Sequence, residues 1–273
     1  MSAWITGVQA LRAAREAGVL VTLTGVRGHA PREAGAKMVV SGSRTWSTIG
    51  GGNVEEEAVR RARALLTSGS TTPASFTASL SDKAPIEHGV QCCGGEVTVL
   101  LEPLPVVPSL AIFGMGHVGL ELARILARHD LELHLVDSRG EYLTADVLAP
   151  LDDAVAAVHP HHVPVIPELV LAELPPGTDV LVLTHDHAED LAIVDAALRC
   201  GHLASIGLIG SSAKWARFRS KLAAAGLTAA EIDRVQTPIG LSGLTTSKEP
   251  AAIALSVAAA WLGARERRNA ERA

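Results

Sequence analysis

The chain has 273 residues, enough for two modest domains that each bury a core of their own. Hydrophobic residues make up 48% but aromatic ones only 3%, so Ala, Val and Leu must fill those cores, which suits helices on parallel strands better than an aromatic-rich sandwich. A formal charge of −5 excludes a nucleic-acid footprint, which needs a basic excess or a dense basic stripe. The one dense basic run, Arg265 to Arg268, is interrupted by Glu266 and reads as a solvated helix end.

Arg12, Arg15 and Glu16 fall where a secretory leader would need an unbroken apolar segment. The most apolar stretch, residues 251–264, lies between Pro250 and Arg265 and is shorter than the ~20 residues a bilayer span takes. Of the three cysteines, Cys92 and Cys93 are adjacent, where a disulfide would be strained. A protein without membrane contact, in the reducing cytoplasm, is the expectation.

In chain order, residues 3–17 carry apolar positions at helical spacing (Ile5, Val8, Leu11, Ala14), with Gly18 as the stop, and the β-branched run 19–26 follows as a strand. Residues 37–40 and 45–49 flank Ser41-Gly42-Ser43-Arg44 and predict a hairpin. Gly50-Gly51-Gly52 then leads to Asn53, which with Glu56 predicts a capping box opening a helix over 54–66. A Ser/Thr-rich stretch at 67–81 precedes a strand at 96–101, and Pro103, Pro105 and Pro108 mark a domain boundary. The second half alternates strands (110–113, 131–136, 154–158, 179–184, 204–209) with helices (from 114 to about 128, then 167–174, 188–199 and 212–225). The fold expected is α/β: a smaller N-terminal α+β domain over 1–105, a Rossmann-like doubly wound parallel sheet over 109–245, and a C-terminal helix over 246–273 packing on both.

Several segments carry chemistry. Gly114-x-Gly116-x-x-Gly119 sits between a strand and a helix, where backbone can approach a pyrophosphate, and such glycines also serve to pack helix on strand. Asp137 ends the next strand, where an acid accepts from a ribose 2′-hydroxyl and favours NAD over NADP. His185-Asp186-His187 lies at the carboxyl end of a buried strand; the two imidazoles at i, i+2 would share a side and a role, while a cap on the following helix is an equal reading of Asp186. His159, His161 and His162 read as exposed loop histidines. Arg32, in the irregular segment 30–38, offers a planar fork for phosphate, and Gly50, Gly51 and Gly52 free backbone amides for an anion unless the glutamates that follow take them. Gln91-Cys92-Cys93-Gly94-Gly95 presents thiols in a glycine-rich loop, too few for zinc but suited to a soft metal, or simply a turn; Cys200 reads as core.

Together these segments resemble the XdhC/CoxI family of accessory proteins for molybdenum hydroxylases over nearly the whole chain. The first half is similar through residues 28–38, 48–55, Cys93-Gly94-Gly95 and Leu101-Glu102-Pro103-Leu104. The second is similar through residues 113–119, Val136-Asp137-Ser138-Arg139, residues 184–187, residues 207–211 with Lys214, and Pro238-Ile239-Gly240-Leu241. The Gln-Cys-Cys-Gly-Gly wording is closer to members attached to xanthine dehydrogenase than to those serving carbon monoxide or aldehyde oxidising enzymes. The resemblance implies a molybdenum cofactor chaperone in purine catabolism and no catalysis of its own. It would receive molybdopterin, hold it while a cysteine desulfurase or sulfurase installs the terminal sulfido ligand, and pass it to the xanthine dehydrogenase apoenzyme. The family varies beside the cysteine that matters, so Cys93 rather than Cys92 is the implied molybdenum contact, with Arg32 and the glycine turn on the pterin phosphate. The cofactor-binding candidates are thus Arg32, Gly50, Gly51, Gly52, Gln91, Cys93, Gly94 and Gly95 in the first half, and Gly114, Gly116, His117, Gly119, Asp137, His185 and His187 in the second.

Two other classes compete. An NAD-dependent oxidoreductase would use His185 or His187 as acid–base and Asp137 on the ribose of NAD or another nucleotide, but the only tyrosine is Tyr142 and no Lys/His/Tyr set accompanies it. A scaffold would touch dehydrogenase and sulfurase without holding cofactor. The Ala-rich C-terminal helix is compatible with a homodimer.

Overall fold

The computed structural model describes residues 2–80 and 95–271. The chain divides into two compact units, one of residues 1–106 with 266–273 and one of residues 107–265. Among the described residues no helix is long and apolar enough to cross a membrane.

The first unit runs α1 (Ala3–Ala14), β1 (Gly18–Arg27), β2 (Lys37–Ser41), β3 (Thr45–Ser47), α2 (Gly52–Ser68), β4 (Ala74–Ser79) and β5 (Glu96–Leu104). Its antiparallel sheet has the order β3-β2-β1-β5-β4. Alternate residues Val19, Val21 and Leu23 of β1 point to one face, where Val54, Ala58 and Ala62, spaced one helical turn apart on α2, cover them. The predicted hairpin forms, with Met38 opposite Ser47. Gly18 is not the helix stop: α1 ends at Arg15, left-handed at φ 50°, and Gly18 opens β1 so closely against Leu11 that a Cβ would overlap that side chain. The Ser/Thr-rich stretch contains β4, a strand its composition hides, because residues 74–79 find a partner in β5.

The second unit runs β6 (Ser109–Phe113), α3 (His117–Leu126), β7 (Glu132–Asp137), α4 (Ala145–Leu148), β8 (Ala157–His162), β9 (Asp179–Val182), α5 (His187–Arg199), β10 (Ser205–Leu208), α6 (Ser212–Ala224), α7 (Ala229–Ile232), β11 (Val235–Gln236) and, as far as Arg265, α8 (Pro250–Ala270). The parallel sheet has the order β11-β10-β9-β6-β7-β8. After β6 the chain winds outward through β7 and β8, then returns to the other side of β6 for β9, so the order reverses between β6 and β9. Both faces are buried: Leu110 and Ile112 of β6 pack with α3 and α8, while Ala111 and Phe113 pack with α5 and α6. From α8, Ala254, Val257, Ala258 and Trp261 enter this core, and the Trp261 indole donates to Asp179 at 2.8 Å.

The predicted strand at 154–158 is displaced to residues 157–162, and the predicted helix at 167–174 is a 3-10 turn over Pro167–Ala172. The three histidines are therefore not in a loop. His159 and His161 lie on β8 beside β7, with the His159 ring stacked 4.8 Å from that of His134 and His134 Nδ1 3.0 Å from His161 Nε2. Burial, then the neighbouring His159 charge, holds the His161 imidazole below its usual range against the pull of Glu173.

Candidate functional site

In the first unit, the segment 28–35 and the glycine turn meet. The chain turns through Gly50, Gly51 and Gly52 at φ 127°, 74° and 63°, and a Cβ on Gly50 would lie 2.6 Å from Pro31 Cγ and 3.3 Å from Arg32 Cγ. Gly95 faces the same segment, because a Cβ there would overlap the His29 carbonyl oxygen and lie 2.7 Å from that of Arg27. Arg32 is exposed, and among the described residues no hydrogen bond or ion pair holds its guanidinium. Gln91, Cys92, Cys93 and Gly94 lie outside the described residues.

The predicted capping box is replaced by another device. Gly51 is the cap of α2, and Glu55 folds back instead, its Oε2 accepting from the Ile49 amide at 3.0 Å, the Gly51 amide at 3.1 Å and the Thr48 hydroxyl. The chain's own carboxylate thus takes the Gly51 amide, while the Gly50 amide donates to the Thr48 hydroxyl at 3.0 Å, and the side-chain donor that fits a phosphate here is Arg32. Glu55→Ala strips the acceptor from both amides and the hydroxyl and is expected to cost about 2 kcal/mol. A urea midpoint equal to the parent's would mean that water takes over the role.

In the second unit, the candidates gather where the strand order reverses. Gly114 leaves β6 at φ 103° under the end of β9, where a Cβ would overlap the Leu183 carbonyl, and a Cβ on Gly119 would overlap the Gly114 carbonyl. These two glycines let helix and strands close; Gly116 is different, with nothing within 4 Å of where its Cβ would stand. His117 is the exposed first residue of α3.

Asp137 is 2% exposed and both its oxygens are engaged. Oδ1 accepts from the Arg139 amide and Nε, each at 2.9 Å, while Oδ2 accepts from the Met115 amide at 2.6 Å and Arg139 Nη2 at 2.9 Å. A ribose hydroxyl would have to displace one of these bonds. Burial pushes this carboxyl up, but the Arg139 side chain and the Arg139 and Met115 amides outweigh it and hold the group below its usual range. Its stabilisation is therefore full above the unfolded value of about 3.9 and lost as pH falls through the depressed one. Asp137→Asn is expected to flatten the acid limb of stability below about pH 4 in urea titrations; an unchanged limb would assign it to other carboxylates.

His185 and His187 do not share a strand face, because β9 ends at Val182; His185 stands exposed in the turn and His187 opens α5. Asp186 is the cap of α5, accepting from the Ala188 amide at 2.5 Å and the Glu189 amide at 3.3 Å, and these amides lower its carboxyl. Among the described residues no group of three or more His, Cys, Asp or Glu is arranged to hold a metal ion.

Residues 110–260 match the family described as XdhC Rossmann domain, and residues 11–77 match the XdhC and CoxI family. The chain belongs to the XdhC family. A curated relative, the uncharacterized protein YqeB of Escherichia coli (strain K12), is 26% identical over 234 residues, 85% of this chain and 41% of its own length. The chain thus spans less than half of that relative. A crystal structure from Bacillus halodurans described as a xanthine dehydrogenase is 18% identical with a TM-score of 0.47, over 98% of this chain and 97% of that one.

Three interactions in this XdhC-family site are not legible in the motifs, although Arg139 and Lys214 stand in segments that carry the resemblance. Arg139 and its bidentate hold on Asp137 are one. Glu189 is another: it accepts from the Ser138 hydroxyl at 3.2 Å, and burial, reinforced by Asp137 and Asp190 and opposed by Ser138 and His185, raises its carboxyl. The third is a buried pair at the ends of β9 and β10, where Lys214 donates to Asp190 and, at 3.0 Å, to the Ile209 carbonyl, while Asp190 accepts from the Thr184 amide and hydroxyl. A cation just past a strand end in an α/β sheet is the signal that would have drawn notice to Arg139, whereas Glu189, Asp190 and Lys214 lie within the helices after β9 and β10, where only the packed fold shows what they meet.

Proposed function

We propose that this XdhC-family chain is an accessory protein, and not itself an enzyme, that holds molybdopterin as cargo during sulfuration by a cysteine desulfurase and hands it to the xanthine dehydrogenase apoenzyme. Family membership in both halves of the chain supports the reading. The observation that carries it is exposed Arg32, whose guanidinium has no partner among the described residues and whose Cγ lies against the Gly50 turn, in a segment that Gly95 also faces through His29. Arg32 would hold the cofactor phosphate by charge-assisted hydrogen bonds, and Cys93 would supply a soft sulfur contact to molybdenum. A carrier must also release its cargo, so partner binding has to shift the balance between a holding and a releasing state.

The test is retention of molybdopterin by the purified full chain through gel filtration. Stoichiometric retention is expected, weakened about tenfold or more by Arg32→Ala and by Cys93→Ala, a loss of about 1.4 kcal/mol each. No retention by the parent overturns the carrier reading, and NADH binding in its place would favour a nicotinamide oxidoreductase on the glycine fingerprint.

A further inference from the structure

Arg61, Ala64, Leu65 and Ser68 recur at i, i+3, i+4 and i+7 on the C-terminal half of α2, so they share one side of the helix. That side faces β4, the outermost strand of the first unit's sheet, and the two elements bound an open groove of about 350 Å³. Its floor is apolar: Phe76 of β4 and Leu101 of β5 are buried, and Leu101 stands opposite Ala74. The groove stays open because Ala64 and Ala74, one on each wall, are too small to close it.

Among the described residues that line the groove, Arg61 is the only charged one. Its Cζ lies 4.4 Å from the Phe76 ring centroid, and its Nε donates to Glu57 at 2.6 Å. These two contacts hold the guanidinium in place. Its two terminal nitrogens make no hydrogen bond among the described residues, and the side chain is 46% exposed. Glu57 does not fully neutralise this cation, because the same carboxylate is also held by Arg60 at 2.6 Å.

We propose that this groove binds a small apolar monocarboxylic acid, its hydrocarbon on Phe76 and Leu101 and its carboxylate on the terminal nitrogens of Arg61. The volume falls at the low end of small-molecule sites, roughly 300–1,000 Å³. Burial of the hydrocarbon supplies affinity, and a planar fork of N–H donors matches the two oxygens of a carboxylate. One cation close to the carbonyl end of α2 suits a single negative charge and not the two of a phosphate. The site is separate from the proposed cargo contacts of Arg32 and the Gly50 turn, which precede α2 and do not line the groove.

The experiment is equilibrium dialysis of the full chain against octanoate, butanoate and octan-1-ol. Octanoate is expected to bind with a Kd below about 1 mM, and butanoate at least about tenfold more weakly, since each methylene removed forfeits apolar burial. Octan-1-ol, which brings Arg61 no charge, is expected to bind about tenfold more weakly than octanoate. Arg61→Gln should weaken octanoate about tenfold and leave octan-1-ol within about twofold. Ala64→Leu and Ala74→Leu fill the groove from opposite walls and should each weaken both ligands about tenfold. The two leucine variants are expected to melt within about 4 °C of the parent, because Ala64 is exposed and Ala74 half-buried. No saturable binding of octanoate up to about 5 mM overturns the proposal. So does octanoate binding that Arg61→Gln or both leucine variants leave intact, which would place the acid elsewhere. Butanoate or octan-1-ol bound as tightly as octanoate overturns it too, since the groove then reads only charge or only hydrocarbon.

Discussion

Gly119→Ala is expected to destabilise the second unit by about 3 kcal/mol or more, the upper end of overpacking costs. The new methyl would overlap the Gly114 carbonyl oxygen, and both parties are backbone, so no side chain can swing aside. Relief would require α3 to lift from β6. That would open contacts made by Leu122, Ala123 and Leu126, all fully buried against Leu110 and Ile112. Scanning calorimetry checks this, with Gly116→Ala as the control in the same turn. Equal midpoints for the two variants would show that α3 is free to shift and that the third glycine is not needed for packing.

Lys214→Met is expected to cost about 3 to 5 kcal/mol, the penalty for leaving a buried carboxylate without its cation. Asp190 is fully buried, with one oxygen committed to Thr184 and the other to Lys214, and the substitution also strips the donor from the Ile209 carbonyl. The double variant Asp190→Asn with Lys214→Met is expected to recover about half of the loss, since it removes the charge along with its partner. Urea midpoints of the single and double variants decide it. A single variant as stable as the parent would mean that the Thr184 bonds alone satisfy Asp190. The pair also holds a turn, because Thr184, bonded to Asp190, begins the segment that carries His185, Asp186 and His187 at the reversal of strand order.

Much of the scaffold was legible because its signals are local. The buried run at 109–113, the spacing of Gly114, Gly116 and Gly119, and the apolar stripe of α3 each lie within one turn or one strand. Asp186 as a helix cap was one of two readings its position allowed, and its bonds to the next two amides are as local as a bond can be. The failures involve partners distant in the chain. Residues 74–79 form a strand only because β5 lines up beside them, and His159 with Pro160 and His161 is held extended by pairing with β7. The helix start at 52 went to Glu55 in place of Asn53 and Glu56 because the turn at 48–51 folds back over its first turn.

By itself, then, the sequence determined the family, the two-part α/β organisation and the places where glycine lets backbone close on backbone. Those depend on residue type, spacing and periodicity, which the covalent chain carries with it. Only the tertiary structure decided which polar group meets which: Asp137 with Arg139 and Met115, Asp190 with Lys214, Glu55 with the amides of its own turn. A carboxylate at a strand end is equally able to face a ribose or a guanidinium. The choice falls to whichever donor the packed strands and turns bring within about 3 Å, and a buried oxygen once satisfied has no reason to leave its partner.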